Sequence, residues 1–268
     1  MGSPKPLHDF RTNSPVQILF FDIDDTFTSH GRVRSDAFAA LEDWQVDGGL
    51  AVAVTGRPAG WCDHFARMWP IHSVIGENGA FWFSYQPTSR RLDRVFLSEP
   101  PGDLLRTKLA LVQQQVLADF PKANIASDQA YRLYDLAIDF AEDVVPPLSL
   151  REANQIAAKM ESLGMTAKVS SIHVNGWFGQ HNKYQACVEW LSRVAGLTEA
   201  QAQHTCVYVG DSLNDEPMFA KFPLSVGVAN IEPFLTQMSN PPSFVTVGKG
   251  ADGFCELVAR LLMSRRGD

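Results

Sequence analysis

The sequence predicts an α/β protein with a doubly wound parallel sheet and an inserted α+β domain. Three observations predict this fold class: short apolar runs that end in turn and acidic residues, helical patterns that alternate with these runs, and a central segment with a different pattern. Continuous apolar runs of this kind are typical of strands buried on both faces of a parallel sheet. Their alternation with helices is typical of doubly wound domains.

The first part of the chain starts the α/β pattern. Ile18–Phe21 is a continuous apolar run followed by acidic residues, which predicts a central strand. Apolar residues at helical spacing come next, and Gly48 and Gly49 end that helix. Pro58 suits the first position of another helix. The predicted elements are a strand over 18–21, a helix over 35–46, a strand over 50–54, a helix from Pro58 and a strand over 72–75.

The middle of the chain changes to strand pairs and two amphipathic helices, which predicts an open sheet with helices on one face. Its predicted elements are strands over 81–85 and 91–97, a helix over 103–120, a strand over 132–140, a helix over 148–163 and a strand over 166–174. From Lys183 the α/β pattern resumes, with a helix to about 194, a strand over 205–209, a helix over 216–220, a strand over 224–228 and a helix over 253–263. The predicted organisation is a flexible lead-in over 1–15, a core domain over 16–80 and 182–268, and an inserted domain over 81–181.

Composition narrows the class of protein and its partners. The 268-residue chain carries a net charge of −7, which gives no reason to expect nucleic acid or an anionic membrane as a partner. No apolar stretch approaches the roughly 18 residues of a membrane span, and the polar N-terminus does not resemble a signal peptide. The four cysteines are widely spaced without C-x-x-C pairs, so we expect neither a disulfide nor a zinc site, and a cytoplasmic location.

Two acidic clusters follow predicted strands, although they lie far apart in the chain. Asp22-Ile23-Asp24-Asp25-Thr26 follows the first strand, and Asp211-Ser212-Leu213-Asn214-Asp215 follows the strand that ends near Gly210. The carboxyl ends of parallel strands meet at one edge of a sheet, where ligands bind. Carboxylates and carbonyls are ligands that Mg²⁺ prefers. The two clusters therefore predict a Mg²⁺ site at this edge.

The residues at the strand ends also predict phosphoryl transfer. A carboxylate such as Asp22 can attack phosphorus once its repulsion with the phosphate is neutralised, here by Mg²⁺ and Lys183. Asp24 can then protonate the leaving alcohol and later deprotonate the attacking water. Thr55 and the N–H groups around Gly56 can hold phosphate oxygens. We therefore expect a Mg²⁺-dependent phosphomonoester hydrolase that acts on a small phosphorylated metabolite through an aspartyl-phosphate.

At these residues the chain resembles the haloacid dehalogenase superfamily of phosphotransferases. The four matching segments, in order, are the D-x-D-x-T motif of residues 22–26, Thr55-Gly56-Arg57, Lys183, and the G-D-x-x-N-D motif of residues 210–215. The resemblance covers essentially the whole chain from Val16 and implies a Rossmann-like core. Any one motif is weak, whereas four in order are strong.

The resemblance implies a role for each matched residue. Asp22 is then the nucleophile and a metal ligand, Asp24 the acid/base with its backbone carbonyl on the metal, and Asp211 the remaining protein ligand. Thr55 and Lys183 are then phosphate binders. Asn214 and Asp215 would support the phosphate, Lys183 or a metal-bound water. The acid at Asp24 favours a phosphatase over a dehalogenase.

The inserted domain lies between the second and third motifs, which is the place of the C2-type cap in this superfamily. With Gly76-Glu77-Asn78-Gly79 at the hinge, the chain resembles the IIB branch, which includes Cof-like, sucrose-phosphate, trehalose-phosphate and mannosylglycerate-phosphate phosphatases. The resemblance implies a sugar phosphate as substrate. Asp25 replaces a commoner glycine, and Phe27-Thr28-Ser29-His30 replaces a leucine-rich continuation, so the exact subfamily stays open.

Residues near the cap remain open between two interpretations. Arg57 either contacts substrate or forms a structural ion pair, and Asn78 either contacts substrate or only serves the turn. In the segment 173–182, Trp177, or Trp82 upstream, either stacks on a sugar or closes the core of the cap. Hydroxyl-binding candidates are His173, Asn175, His181 and Asn182. His64 and Asp25 are expected to be structural.

Other functions remain compatible with these residues. A phosphomutase or other phosphotransferase would use the same nucleophile but return the phosphoryl group to an acceptor. A receiver-like, phosphorylatable module also combines strand-end aspartates with threonine and lysine, although the cap-sized insertion disfavours it. The sequence does not predict the oligomeric state.

Overall fold

The protein consists of a large α/β core and a smaller α+β cap. A computed structural model describes residues 3–12, 14–98 and 101–266. The strands are β1 (Lys5–Pro6), β2 (Ile18–Phe21), β3 (Thr28–Ser29), β4 (Arg32–Val33), β5 (Leu50–Val54), β6 (Ser73–Gly76), β7 (Phe81–Gln86), β8 (Arg91–Phe96), β9 (Asn124–Ile125), β10 (Asp135–Asp139), β11 (Thr166–Val169), β12 (His173–Trp177), β13 (Cys206–Gly210), β14 (Ser225–Gly227) and β15 (Phe244–Val245). The helices are α1 (Ser35–Val46), α2 (Ala59–Met68), α3 (Asp103–Asp119), α4 (Leu150–Ser162), α5 (Lys183–Trp190), α6 (Glu199–Thr205), α7 (Glu216–Phe219) and α8 (Gly250–Arg266).

The core is built on a sheet that, within the described residues, has nine strands in the order β1-β15-β14-β13-β2-β5-β6-β7-β8. Strand β2 lies at its centre and pairs in parallel with β13 and β5, so that Phe21 lies opposite Val209 and Ala53. The register brings the ends of these three strands to one edge. Every residue of β2 is buried, which explains its unbroken apolar sequence.

Helices cover both faces of this sheet. Helices α1, α2 and α8 pack on one face, where Trp44, Cys62 and Phe254 belong to one apolar cluster. Helices α5 and α7 pack on the other, where Trp190 and Phe219 belong to a second cluster. This layered arrangement confirms the doubly wound fold that the sequence predicts.

The cap has a four-stranded antiparallel sheet in the order β11-β12-β10-β9, counted over the described residues. Because side chains alternate along a strand, Leu136 and Val174 join the apolar core under α3 and α4. The intervening positions of β12, His173 and Asn175, lie on the opposite face. That alternation turns one face of the cap sheet towards the core domain.

The predicted domain boundary at residue 81 is wrong. Strands β7 and β8 belong to the core sheet. The chain reverses its direction after β6, so that β7 pairs antiparallel with β6 and β8 pairs antiparallel with β7. The antiparallel pairing of β7 with β8 was predicted, whereas the pairing of β7 with β6 was not. The inserted domain therefore begins after β8, and Glu99 and Pro100 of the predicted range lie outside the described residues.

Three further elements differ from the prediction. The lead-in is packed rather than flexible: Lys5–Pro6 pairs with β15, and Leu7 and Phe10 are buried, while residues 1, 2 and 13 lie outside the described part. The strand predicted over 166–174 is a hairpin, since Ser170 Oγ accepts a hydrogen bond from the backbone N–H of His173 in the turn. Helix α6 was not predicted, although Thr198 and Gln201 form a capping box at its start.

The helices also bear on the relation to membranes. None of those in the described ranges combines the length and the apolar character needed to span a bilayer.

Candidate active site

Three buried carboxylates meet at the edge formed by the ends of β2 and β13. Asp22 follows β2 and is held there by its backbone N–H, which donates to the carbonyl of Val209 over 3.0 Å. Asp211 and Asp215 follow β13. One oxygen from each of the three carboxylates lies within 4.8 Å of the others. The two sequence clusters therefore form one site, as predicted from the strand-end rule.

Lys183 supplies the positive charge at this edge. It is the first residue of α5, whose N-terminus is capped by Asn182 Oδ1, an acceptor for the Gln185 N–H over 2.9 Å. Its Nζ donates to Asp22 Oδ1 over 2.8 Å and to Asp215 Oδ1 over 3.0 Å. Although burial lowers the pKa of Lys183, the charges of Asp215 and Asp22 raise it above its ordinary value. The ammonium group is therefore permanently charged.

The cluster carries more negative than positive charge. Burial raises the pKa of Asp22 to about 7, against the lowering effect of Lys183. Burial also raises the pKa of Asp211, with a further contribution from Asp215. A divalent cation would compensate this charge, and the carboxylate oxygens are the hard ligands that Mg²⁺ prefers. The residues present therefore fit such a metal.

Asp215 is already occupied by hydrogen bonds. Its Oδ1 accepts from Lys183 and from the hydroxyl of Tyr208, and its Oδ2 accepts from the backbone N–H of Asp211 over 3.0 Å. The bonds to Asp211 are longer, from Thr26 over 3.3 Å and from Asn230 over 3.4 Å, so Asp22 and Asp211 are the better candidates to hold a metal, whereas Asp215 fixes Lys183. The role of the Asp24 backbone carbonyl as a third ligand stays a prediction.

The segment after β5 brings three predicted residues to the same edge. Thr55 is fully buried, and its hydroxyl accepts the backbone N–H of Arg57 over 3.0 Å while keeping its own proton to donate. Gly56 lies so close to Asn78 that a Cβ atom would stand 3.3 Å from the Asn78 amide. A side chain at position 56 would crowd this edge.

Arg57 forms ion pairs in this structure. Its guanidinium grips Asp24 with two bonds, Nε to Oδ2 over 2.9 Å and Nη2 to Oδ1 over 2.8 Å. It also bonds Glu142 on the cap over 3.2 Å. Arg57 nevertheless lines the same cavity as Asp24, so it is both an ion-pair partner and part of the site.

An enclosed cavity of about 30 Å³ lies between core and cap. Its core residues are Asp22, Asp24, Gly56, Arg57, Asn78, Asp211, Ser212 and Asn214, and its cap residues are Arg132, Ser170, Ser171, Ile172, His173 and Asn175. This volume is room for one or two waters rather than a metabolite. The cap is therefore in a closed position, and substrate entry requires it to open.

Asn78 and Asn175 differ in whether their side-chain amides are already bonded. Both line the cavity. The Nδ2 of Asn78 is buried and has no hydrogen-bond partner within the described residues, so it is free to bind a ligand. The Nδ2 of Asn175 donates instead to Asp135 over 3.0 Å.

Several predicted residues do not line this cavity. Trp177 packs on His181 and donates its indole N–H to the His181 carbonyl, and Asn182 serves as the helix cap described above. All three line a second cavity of about 550 Å³, which also contains Lys183 and shares Asn78 and Asn214 with the first.

Two other predicted residues lie outside both cavities. Trp82 belongs to the apolar core on β7, so it does not stack on a ligand there. His64 is exposed on α2.

Other site residues escaped the sequence analysis. Glu142 follows β10 and has no local motif, and the turn at Ser170–Ile172 was hidden inside a predicted strand. Arg132 donates to the backbone carbonyl of Gly56 over 2.9 Å and so joins cap to core. The serine pair at 170–171 was the available signal, since serine is common in turns.

Glu77 connects the two domains at the first crossing of the chain. Its buried carboxylate accepts the backbone N–H groups of Ala59 in the core, over 3.0 Å, and of Leu133 and Tyr134 towards the cap, over 2.9 and 2.6 Å. Glu77 and Asn78 both have positive φ, at 42° and 56°. The predicted hinge turn is therefore also a hydrogen-bonded joint.

Solved structures of similar fold extend over nearly the whole chain. A protein of Thermoplasma acidophilum matches with a TM-score of 0.69 at 15% identity, over 93% of this chain and 100% of that one. A putative HAD/Cof-like hydrolase of Plasmodium vivax matches with a TM-score of 0.65 at 17% identity, over 93% and 96%. The sucrose-phosphatase of Synechocystis, solved with sucrose and phosphate, matches with a TM-score of 0.63 at 17% identity, over 92% and 98%.

Sequence comparison adds nothing to these structural matches. No family model matches the chain, and no curated protein matches it either. The three structural matches extend over core and cap alike, since each covers at least 92% of this chain. The chain therefore has the fold of the haloacid dehalogenase-like hydrolases with an inserted cap, as its motifs predict.

Proposed function

We propose that the protein is a Mg²⁺-dependent phosphatase that hydrolyses a small phosphorylated metabolite through an aspartyl-phosphate on Asp22. The observation that carries this proposal is the pairing of Asp22 with Lys183 beside Asp211 and Asp215, at a cavity that also contains Asp24. A nucleophile, a fixed cation, a metal-binding carboxylate and an acid/base lie together there. Each is a group that phosphoryl transfer needs.

The first step forms a bond between a carboxylate oxygen of Asp22 and phosphorus. The bond from phosphorus to the alcohol oxygen breaks, and Asp24 gives its proton to that oxygen. In the second step water attacks the phosphoryl group, Asp24 takes a proton from the water, and the bond from phosphorus to the Asp22 oxygen breaks, which releases inorganic phosphate and restores the Asp22 carboxylate. Lys183 holds the Asp22 carboxylate in one orientation through both steps.

A divalent cation held by Asp22 and Asp211 would supply charge neutralisation between the nucleophile and the phosphate. The chain's own residues do the rest. Thr55 and the free Nδ2 of Asn78 are donors for phosphate oxygens, and Asn214 lies beside them at the cavity with its Oδ1 fixed by Ser212 over 2.7 Å.

A sugar phosphate is the substrate class that the cap supports best. The cap side of the cavity presents hydroxyl, imidazole and amide groups, from Ser170, Ser171, His173 and Asn175, which suit hydroxyl groups of a ligand. Similar structures include a sucrose-phosphatase and a trehalose-6-phosphate phosphatase related protein.

All four cysteines are unpaired, which supports a reducing cytoplasm as the location of the protein.

Phosphate release from a panel of phosphorylated sugars and glycerate derivatives tests the proposal. We expect activity that requires Mg²⁺, is lost on chelation, and is abolished in the Asp22→Asn variant. The matched control is Asp25→Asn, three residues on at a half-buried turn position, which should stay active. Full activity of Asp22→Asn would contradict the mechanism. An isomeric phosphate in place of inorganic phosphate would identify a mutase.

A further inference from the structure

A line of charged groups joins the acid/base Asp24 to the cap. We propose that Glu142 is a positioning residue that, through Arg57, makes the orientation of Asp24 depend on closure of the cap. The inference rests on the proposed function, because it concerns the task of Asp24 in that reaction. It assigns Glu142 no contact with the substrate itself.

On the core side, Arg57 and Asp24 form a bidentate ion pair. The Nε and Nη2 atoms of Arg57 bond the two oxygens of Asp24 over 2.9 and 2.8 Å. A guanidinium and a carboxylate that share two parallel bonds fix each other's plane. Oδ1 also accepts a longer bond from Nε over 3.2 Å, so Oδ2 is the oxygen that keeps a lone pair for a leaving group or a water. Whatever orients Arg57 therefore orients Asp24.

The cap end holds Arg57 from the other side. Glu142 Oε1 accepts from Nη2 over 3.2 Å, and Asp128 Oδ2 lies 3.6 Å from Nη1. The second oxygen of Glu142 lies 2.8 Å from His173 Nε2, a close ion-pair contact that lacks hydrogen-bond geometry. The contact with His173, together with the charge of Arg57, lowers the pKa of Glu142 to about 2. The Glu142 carboxylate therefore stays charged in any ordinary buffer.

Both of these anchors travel with the cap. Asp128 and Glu142 flank β10, whereas Arg57 and Asp24 follow strands of the core. A cap that opens to admit substrate removes both anchors and leaves Arg57 with Asp24 and the ring of Trp61, which lies 4.5 Å from the guanidinium carbon. The Asp24–Arg57 pair can then turn as a unit. Closure restores a single orientation when the substrate is enclosed.

Glu142 is the more exposed of the two anchors. Its side chain is 29% exposed, although its lowered pKa means that it also adds to folding stability at neutral pH. Asp128, by contrast, is 4% exposed and also bonds Arg132, so its loss would disturb the cap itself. Glu142 is therefore the residue at which the link to Asp24 can be cut without unfolding the protein.

The leaving group decides how much the reaction depends on Asp24, and this gives the test. A nitrophenol leaves without a proton, whereas a sugar alkoxide needs one. We compare kcat/KM for 4-nitrophenyl phosphate and for the best sugar phosphate in wild type, Asp24→Asn and Glu142→Gln. For Glu142→Gln we expect a loss of about tenfold on the sugar phosphate and a loss within about twofold on the nitrophenyl ester. Asp24→Asn should show the same selectivity with a larger loss.

Two further variants isolate the route through Arg57. Asp143→Asn is the matched control, since Asp143 is the next residue, is exposed and has no ion pair within the described residues. It should match wild type on both substrates. In an Arg57→Lys background, which cannot make the bidentate ion pair, Glu142→Gln should add little, because residues that act through one another are not additive.

The outcomes separate this inference from the proposed function. A wild type inactive on every phosphate ester overturns the proposed function and the role of Glu142 with it. The role of Glu142 alone is overturned if the wild type is active, Asp22→Asn is inactive, and Glu142→Gln lowers kcat/KM equally for both substrates or for neither. An unchanged melting temperature in Glu142→Gln excludes unfolding as the cause of a selective loss.

Discussion

The two faces of the catalytic cavity differ in their balance of charge. On the core face, Lys183 stands against the three buried carboxylates of Asp22, Asp211 and Asp215. On the cap face, Arg132 lines the cavity but bonds both Asp128 and Asp135, which outnumber it, and the other lining groups are neutral. The core face therefore has groups that can meet a charged ligand, whereas the cation of the cap face is already paired. The core face therefore suits a cation and a phosphate, and the cap face suits a neutral leaving group.

The two faces also differ in how the chain builds them. The core groups follow parallel strands whose register fixes them at one edge, and α5 delivers Lys183 to the same place. The cap groups come from alternate positions of β12 and from turns. Loops and strand faces can change without disturbing the core. The cap is thus the part in which substrate preference can vary.

The largest effect should follow removal of the cation on the core face. In Lys183→Met the carboxylates of Asp22 and Asp215 lose their shared partner, so we expect kcat/KM to fall by about a thousandfold. Phosphate release measured beside Lys221→Met, an exposed lysine of the neighbouring helix end, is the check. Near-normal activity in Lys183→Met would show that the charge imbalance is not catalytic. Circular dichroism excludes unfolding, which loss of a buried pair can cause.

Loss of the hydrogen bonds that Glu77 accepts between core and cap should have the next largest effect. Glu77 accepts backbone N–H groups on both of its oxygens, an arrangement that favours the ionised carboxylate even though burial, with the charge of Asp135, raises its pKa to about 8. In Glu77→Gln one oxygen becomes an NH₂ group that faces N–H donors, which should cost about 3 kcal/mol of unfolding free energy. Urea unfolding measures it, with the exposed Glu161→Gln in α4 as the control. An equal midpoint in both variants would show that the joint is not stabilising.

The sequence predicts the core face better than the cap face, because the core groups follow parallel strands and the cap groups do not. The core site was predictable because Asp22, Thr55 and Asp211 lie at strand ends, and parallel register brings strand ends together. The cap contacts were not, because Glu142 and Arg57 lie 85 residues apart without a shared motif. The role of Trp177 stayed open for a related reason. Its position on β12 puts it beside His181 in the returning segment, which sequence spacing alone does not show.

His181, in the segment that leads from β12 to α5, allows a test by pH. Burial lowers the pKa of His181 to about 4, below its ordinary 6.5. The unfolded chain therefore binds this proton more tightly, so His181 stabilises the fold above pH 6.5 and loses that contribution as the pH falls towards 4. When the pH falls from 7 to 5, the unfolding free energy of the wild type should therefore drop by about 2 kcal/mol more than that of His181→Gln. Urea titrations at both pH values measure it, with exposed His64→Gln as the control. A parallel loss in wild type and His181→Gln would contradict it.

The smallest expected effect tests the cap face directly. Both arginines that line the cavity already have carboxylate partners, Arg57 with Asp24 and Glu142, and Arg132 with Asp128 and Asp135. A leaving group with its own negative charge would meet no free cation there. A sugar-acid phosphate should therefore have a kcat/KM about tenfold below that of the matching neutral sugar phosphate, about 1.4 kcal/mol. Equal values would contradict the charge balance of the cap. Glu142→Gln, which frees part of Arg57, should narrow the gap, so the ratio between the two substrates also reports which carboxylate keeps that arginine occupied.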